Sequence, residues 1–162
     1  MVRVLDVATA NAAGGVYGTL MVGILLAAES PGHETYGETV GAAAIVLGLY
    51  WLTSLYAHLL GDRLKKQESL NLALVRRMCL YELPIIEGAL VPLVALLVAW
   101  AAGASLTTGI RVAVWTMVGT VVALEVAAGW RARLGARGVW LQAAAGATMG
   151  LAVVAAKLVL HG

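Results

Sequence analysis

Six side chains able to carry protons or bind ions stand where the chain around them is almost wholly apolar: Asn11, His58, Asp62, Glu82, Glu87 and Glu125. A charge held in hydrocarbon is expensive, so each needs either a partner or a task. His58 and Asp62 are four residues apart and share a helical face, with Trp51 and Ser54 on the same stripe. An imidazole titrates near neutral pH, which makes His58 a candidate proton carrier. The plainer account is an ion pair with Asp62 at a helix end.

The segment from Tyr81 through Glu82, Leu83, Pro84, Ile85, Ile86 and Glu87 to Gly88, with Pro92 following, is the most informative. Glu82 is expected near the membrane surface, within reach of Arg76 or Arg77. Glu87 lies roughly 12 Å beyond Cys79 at about 1.5 Å per residue, too deep to reach water easily. Pro84 and Pro92 each remove an intrahelical hydrogen bond and free carbonyls near Leu80 and Gly88. A carboxylate between two such defects has the makings of a cation or water site. It is equally the description of a protonated Glu87 in a proline-kinked helix. Glu125 is expected to meet His58, Glu82 or an Arg of the turn at Arg131, or to form a structural salt bridge. Asn11 completes the set at similar depth.

The chemistry these groups do not form is equally informative. The sequence has no Cys-x-x-Cys, His-Glu-x-x-His, Gly-x-Ser-x-Gly or P-loop pattern, so no cofactor, no metal centre and no catalytic residue is assigned. The single cysteine, Cys79, excludes an intrachain disulfide and is expected to be packed and inert.

The elements that must position these residues are membrane helices. Of the 162 residues, 61% are hydrophobic and 12% charged, about half the charge of a soluble domain. Apolar stretches cover about residues 7–28, 40–60, 78–102, 109–129 and 139–160. Each is close to the roughly 20 residues a helix needs to cross a bilayer. The expected fold is an all-α, polytopic transmembrane bundle of about five helices forming one domain over residues 1–162, with a connecting linker at 61–77. Ser69 is the expected cap of a helix leading into the third span.

Orientation follows from the basic residues. Arg3, Arg63, Lys65, Lys66, Arg76, Arg77, Arg131, Arg133 and Arg137 fall on one side, against Arg111 and Lys157 near the other. The positive-inside rule then places the N-terminus in the cytoplasm and the C-terminus outside. Trp100, Trp130 and Trp140 fall at span ends, as interfacial tryptophans do. Arg111 and Lys157 are expected to snorkel or to pair with Glu29, Glu34 or Glu38, and His33 to be solvated. A cleaved signal peptide ending at Ala28 is the rival for the first span. Asp6, Asn11 and Leu26 argue against it.

Small residues recur at four-residue spacing: Gly14 with Gly18, Gly146 with Gly150, and Gly119 with Ala123 and Ala127. Such ridges let helices approach closely. They serve packing within one bundle or a homo-oligomer of unspecified size.

The run Glu29, Ser30, Pro31, Gly32, His33, Glu34, Thr35, Tyr36, then Leu49, Tyr50, Trp51, then Tyr56, Ala57, His58, Leu59, Leu60, Gly61, Asp62, Arg63, Leu64 resembles a family of small multi-span integral membrane proteins of actinobacteria. The resemblance covers most of the chain. It implies a bacterial inner-membrane setting and carries no assigned activity.

Three functions are compatible with these residues. The first is a small, oligomeric proton or cation channel or transporter with Glu87 as the key carboxylate and His58, Glu82 and Glu125 around a cytoplasmic vestibule. The second is a non-catalytic scaffold or partner subunit. The third, an enzyme, would need Glu82, Glu87, Glu125 and His58 to ligate one metal, against the angular separation of Glu82 and Glu87. The expected partners are the lipid bilayer and further copies of the chain. Nucleic acid binding has no support.

Overall fold

The structure is a computed structural model. It describes residues 2–28, 35–66 and 71–161, with side chains over 13–28, 35–64 and 71–159. Over the described residues the chain is an all-helical membrane bundle of five helices: α1 (Val2–Ala28), α2 (Tyr36–Lys66), α3 (Leu72–Ala101), α4 (Leu106–Arg131) and α5 (Ala136–His161). Helices α2 to α5 are each long and apolar enough to cross a membrane, and α1 carries a shorter apolar segment at Ala13–Ala28.

Local chemistry sets the boundaries. Thr35 and Glu38 open α2 as a capping box: the Thr35 N–H donates to Glu38 Oε2 (2.7 Å), and the Glu38 N–H donates to Thr35 Oγ1 (3.3 Å). Asn71, not Ser69, caps α3, with its Oδ1 accepting from the Leu74 N–H at 2.7 Å. Ser69 lies outside the described residues, as do Glu29, His33 and Glu34. Helices α2 and α3 thus run well into the 61–77 stretch. Ser105 caps α4 by accepting from the Thr108 N–H.

Helix α1 lies at the centre, parallel to α3 and antiparallel to α4. Gly14 stands against Pro84, Gly15 against Leu124, Gly18 against Ile85 and Gly23 against Met117. A Cβ on Gly18 would collide with the Ile85 carbonyl, and one on Gly88 with the Gly15 backbone. In a membrane, where burial of apolar surface drives little, such close backbone approach is what holds helices together. The core around it comprises Val22 and Leu26 of α1, Ile85 and Leu96 of α3, and Ile110, Met117 and Val121 of α4. The bundle exterior is apolar too, as lipid requires: Leu49 and Leu52 on α2, Leu90 and Val94 on α3, Trp115 on α4 and Leu158 on α5 are all exposed.

Two small-residue ridges work inside the bundle. Gly14 and Gly18 seat α3; Gly146 and Gly150 on α5 seat Glu125 and Val118 of α4. The third does not. Gly119 has nothing within 4 Å of where a Cβ would stand. The buried face of α4 runs through Ile110, Val114, Met117 and Val121, and Gly119 is 200° from Met117 at about 100° per residue.

Candidate functional site

At the end of the bundle that carries the arginine-rich turns, α1, α2 and α3 part around a cavity of about 340 Å³. Helix α2 contributes Tyr50, Ser54 and His58, which recur every four residues and so share one face. Helix α1 contributes Tyr17 beside the small Ala13 and Gly14, and α3 contributes Tyr81, Glu82 and Ile85. The two glycine-rich turns of α1 therefore have two effects: they bring α3 close and leave room next to it.

Glu82 belongs to the inward stripe of α3. Leu74, Met78, Glu82, Ile85 and Ala89 follow one another at helical spacing and are all buried. Only 4% of the Glu82 side chain is exposed. Ser54 Oγ donates to its Oε2 at 2.8 Å. His58 Nδ1 lies 2.7 Å from its Oε1. The same Nδ1 is 3.1 Å from the Ser54 carbonyl oxygen, and Glu82 Oε1 has no aligned hydrogen-bond donor among the described residues. That oxygen is itself buried, against the His58 ring. His58 itself is 54% exposed and meets the Tyr81 ring edge-on at 5.8 Å. A buried carboxylate is thus in contact with an exposed imidazole ring.

The other expected site residues are placed differently. Glu82 pairs with His58 and Ser54, not with Arg76 or Arg77, which are exposed in the first turns of α3. Glu87 is exposed on the outside of α3, among Leu83, Leu90, Val94 and Leu97. It does not share a cavity with the carbonyl freed by Pro92: that carbonyl, of Gly88, points at α1 and accepts from Thr19 Oγ1 at 2.8 Å. Glu125 is half-buried with its Cγ over Gly146, in the α4–α5 contact and away from His58. Asp62 is half-buried one turn beyond His58 on α2. The Asn11 side chain lies outside the described residues. The four side chains that a metal enzyme would require do not converge, and no cluster of three His, Cys, Asp or Glu able to hold a metal occurs among the described residues. The Lys157 Nζ donates to the Leu26 carbonyl at 3.0 Å, one of the four carbonyls that the end of α1 leaves without a helical partner; its expected partners Glu29 and Glu34 lie outside the described residues. Cys79 is half-buried beside Leu55, Leu74 and Met78.

Sequence reasoning missed the three tyrosines. Tyr50 was legible two turns before His58 on the same face, and Tyr81 as the neighbour of Glu82. No family model matches the chain, and no curated protein or solved structure is significantly similar to it.

Proposed function

We propose that the protein is a small proton- or cation-transporting membrane protein whose binding carboxylate is Glu82. The observation that carries this reading is a nearly fully buried carboxylate that accepts from Ser54 and touches the exposed ring of His58. His58 exchanges protons with the adjacent aqueous phase, and Glu82 holds the charge that a proton or cation neutralises. The basic turns put this cavity on the cytoplasmic side by the positive-inside rule. The resemblance to the actinobacterial membrane family supports a bacterial inner membrane as the setting.

Proton or cation flux in liposomes containing the purified chain tests the proposal. Flux that disappears in Glu82→Gln and persists in Glu87→Gln is the expected result. Equal flux in wild type and Glu82→Gln rejects it.

A scaffold role is the second reading, and one observation favours it. Helix α2 turns most of its length outward, and the Ser54–Glu82–His58 contacts tie its basic-end half to α3. On that reading Ser54→Ala and Glu82→Gln lower the melting temperature together and no flux exists to lose.

A further inference from the structure

We infer that the cavity between α1, α2 and α3 takes a compact organic monocation, an ammonium group bearing alkyl or aryl substituents; the inference rests on the reading of Glu82 as the cation-binding carboxylate. Size is the first argument. One water occupies about 30 Å³ in the liquid, and the cavity is about 340 Å³. A proton or a bare metal ion leaves most of that space to be filled, whereas small-ligand sites begin at about 300 Å³.

The walls are the second argument. Each of the three helices supplies one tyrosine: Tyr17 from α1, Tyr50 from α2 and Tyr81 from α3. Aromatic faces attract cations, most strongly where water is excluded, and surround quaternary ammonium groups in known recognition sites. Among the described residues no Lys or Arg lines the cavity, so an anion finds no counter-charge there beyond His58. Charge count is the third argument. Among the described residues Glu82 is the one carboxylate lining the cavity, with Glu87 on the outer face of α3 and Glu125 against α5. One carboxylate balances one positive charge. A hard divalent ion takes about six oxygen ligands or more, which this wall does not offer. The Glu82 carboxylate answers the cation's charge, and the tyrosine rings take up its apolar substituents.

Isothermal titration of the full chain in detergent micelles with benzyltrimethylammonium tests this, with sodium as the inorganic control. The expected result is saturable binding of one benzyltrimethylammonium per chain that sodium does not reproduce. Glu82→Gln weakens it by tenfold or more. Tyr50→Leu weakens it about two- to thirtyfold, the range of a single cation–π contact, and Tyr50→Phe restores it. The Leu and Phe variants keep the test decisive if Glu82→Gln does not fold. Binding that ignores both Glu82 and Tyr50 overturns the inference. So does an absence of saturable binding while Glu82-dependent proton flux persists, and that result leaves the proton-site reading standing. Benzyltrimethylammonium binding that depends on Glu82 and Tyr50 in a chain without flux upholds the ligand class and removes the transport reading.

Discussion

Gly88 of α3 stands so close to Gly15 of α1 that a methyl group on Gly88 would occupy the space of the Gly15 backbone. The obstacle is main chain, so it cannot rotate away. Overfilling a packed core costs about 1–3 kcal/mol even where side chains can yield. Gly88→Ala is therefore expected to lower the melting temperature of the detergent-solubilised protein sharply. Gly119→Ala, which meets nothing within 4 Å, is expected to leave it unchanged. Equal effects from the two substitutions would show that α1 and α3 do not touch as described.

The same interface is tied by Thr19, whose Oγ1 lies 2.8 Å from the carbonyl oxygens of both Gly15 and Gly88. The Gly88 carbonyl lacks its helical donor because residue 92 is proline. Side-chain hydrogen bonds between membrane helices average about 0.6 kcal/mol and reach about 1.7. Thr19→Val is expected to fall toward the upper part of that range, since it leaves a buried carbonyl without a donor. Pro92→Ala supplies a backbone N–H to that carbonyl. In a double-mutant cycle, Thr19→Val is therefore less damaging on the Pro92→Ala background. Strict additivity of the two changes would sever the link between Thr19 and the proline.

Glu82 and Glu87 make opposite predictions for the same substitution. Glu87→Leu extends the outward apolar stripe of Leu83, Leu90, Val94 and Leu97 and removes a charge that lipid solvates poorly. It is expected to leave flux unchanged and to keep or raise the melting temperature. Glu82→Leu fills a buried position with an apolar residue, and its partner His58 is free to turn to water. It is expected to keep the fold within about 1 kcal/mol while abolishing flux and cation binding. Flux lost in Glu87→Leu and retained in Glu82→Leu would return the carboxylate role to the outer face of α3.

That contrast also marks what was legible in the sequence. The all-helical fold follows from hydropathy, and the close approaches at Gly14, Gly18, Gly146 and Gly150 from small-residue spacing, because those signals are local. Depth along α3 favours Glu87 as the key residue; helical phase favours Glu82. Counting from Met78 through Ile85 and Ala89 puts Glu82 on the inward face, and Glu87 is 200° away from Ile85 at about 100° per residue. Which face is inward becomes clear only through Gly88, whose lack of a side chain lets α1 approach. The convergence of Tyr17, Tyr50 and Tyr81 has no signal in any one segment. It arises from three helices meeting, and only Ser54 and His58 hinted at the α2 wall. The pairing of Glu125 with Gly146 and of Lys157 with Leu26 is likewise tertiary.

The turns at the two ends of α4 give a prediction independent of the cavity. After α3, Gly103 adopts φ +76, its N–H donates to the Trp100 carbonyl, and the Ala104 N–H donates to that of Ala99. After α4, Arg133 adopts φ 55, its N–H donates to the Trp130 carbonyl, and the Leu134 N–H donates to that of Gly129. Both are Schellman caps with the left-handed residue at the same place, yet one has glycine there and the other arginine. A side chain in that conformation costs roughly 1–2 kcal/mol, and glycine returns part of the gain as extra freedom in the unfolded chain. Arg133→Gly is thus expected to stabilise the protein by somewhat under about 1 kcal/mol, and Gly103→Ala to destabilise it by about 1 kcal/mol. Thermal unfolding of both variants in one detergent checks the pair. Eight of the nine basic residues on that side remain after Arg133→Gly, so the positive-inside bias persists and the change in stability reports the backbone alone. A lower melting temperature for Arg133→Gly would mean that the arginine, far from being tolerated at a strained position, holds the turn through its charge.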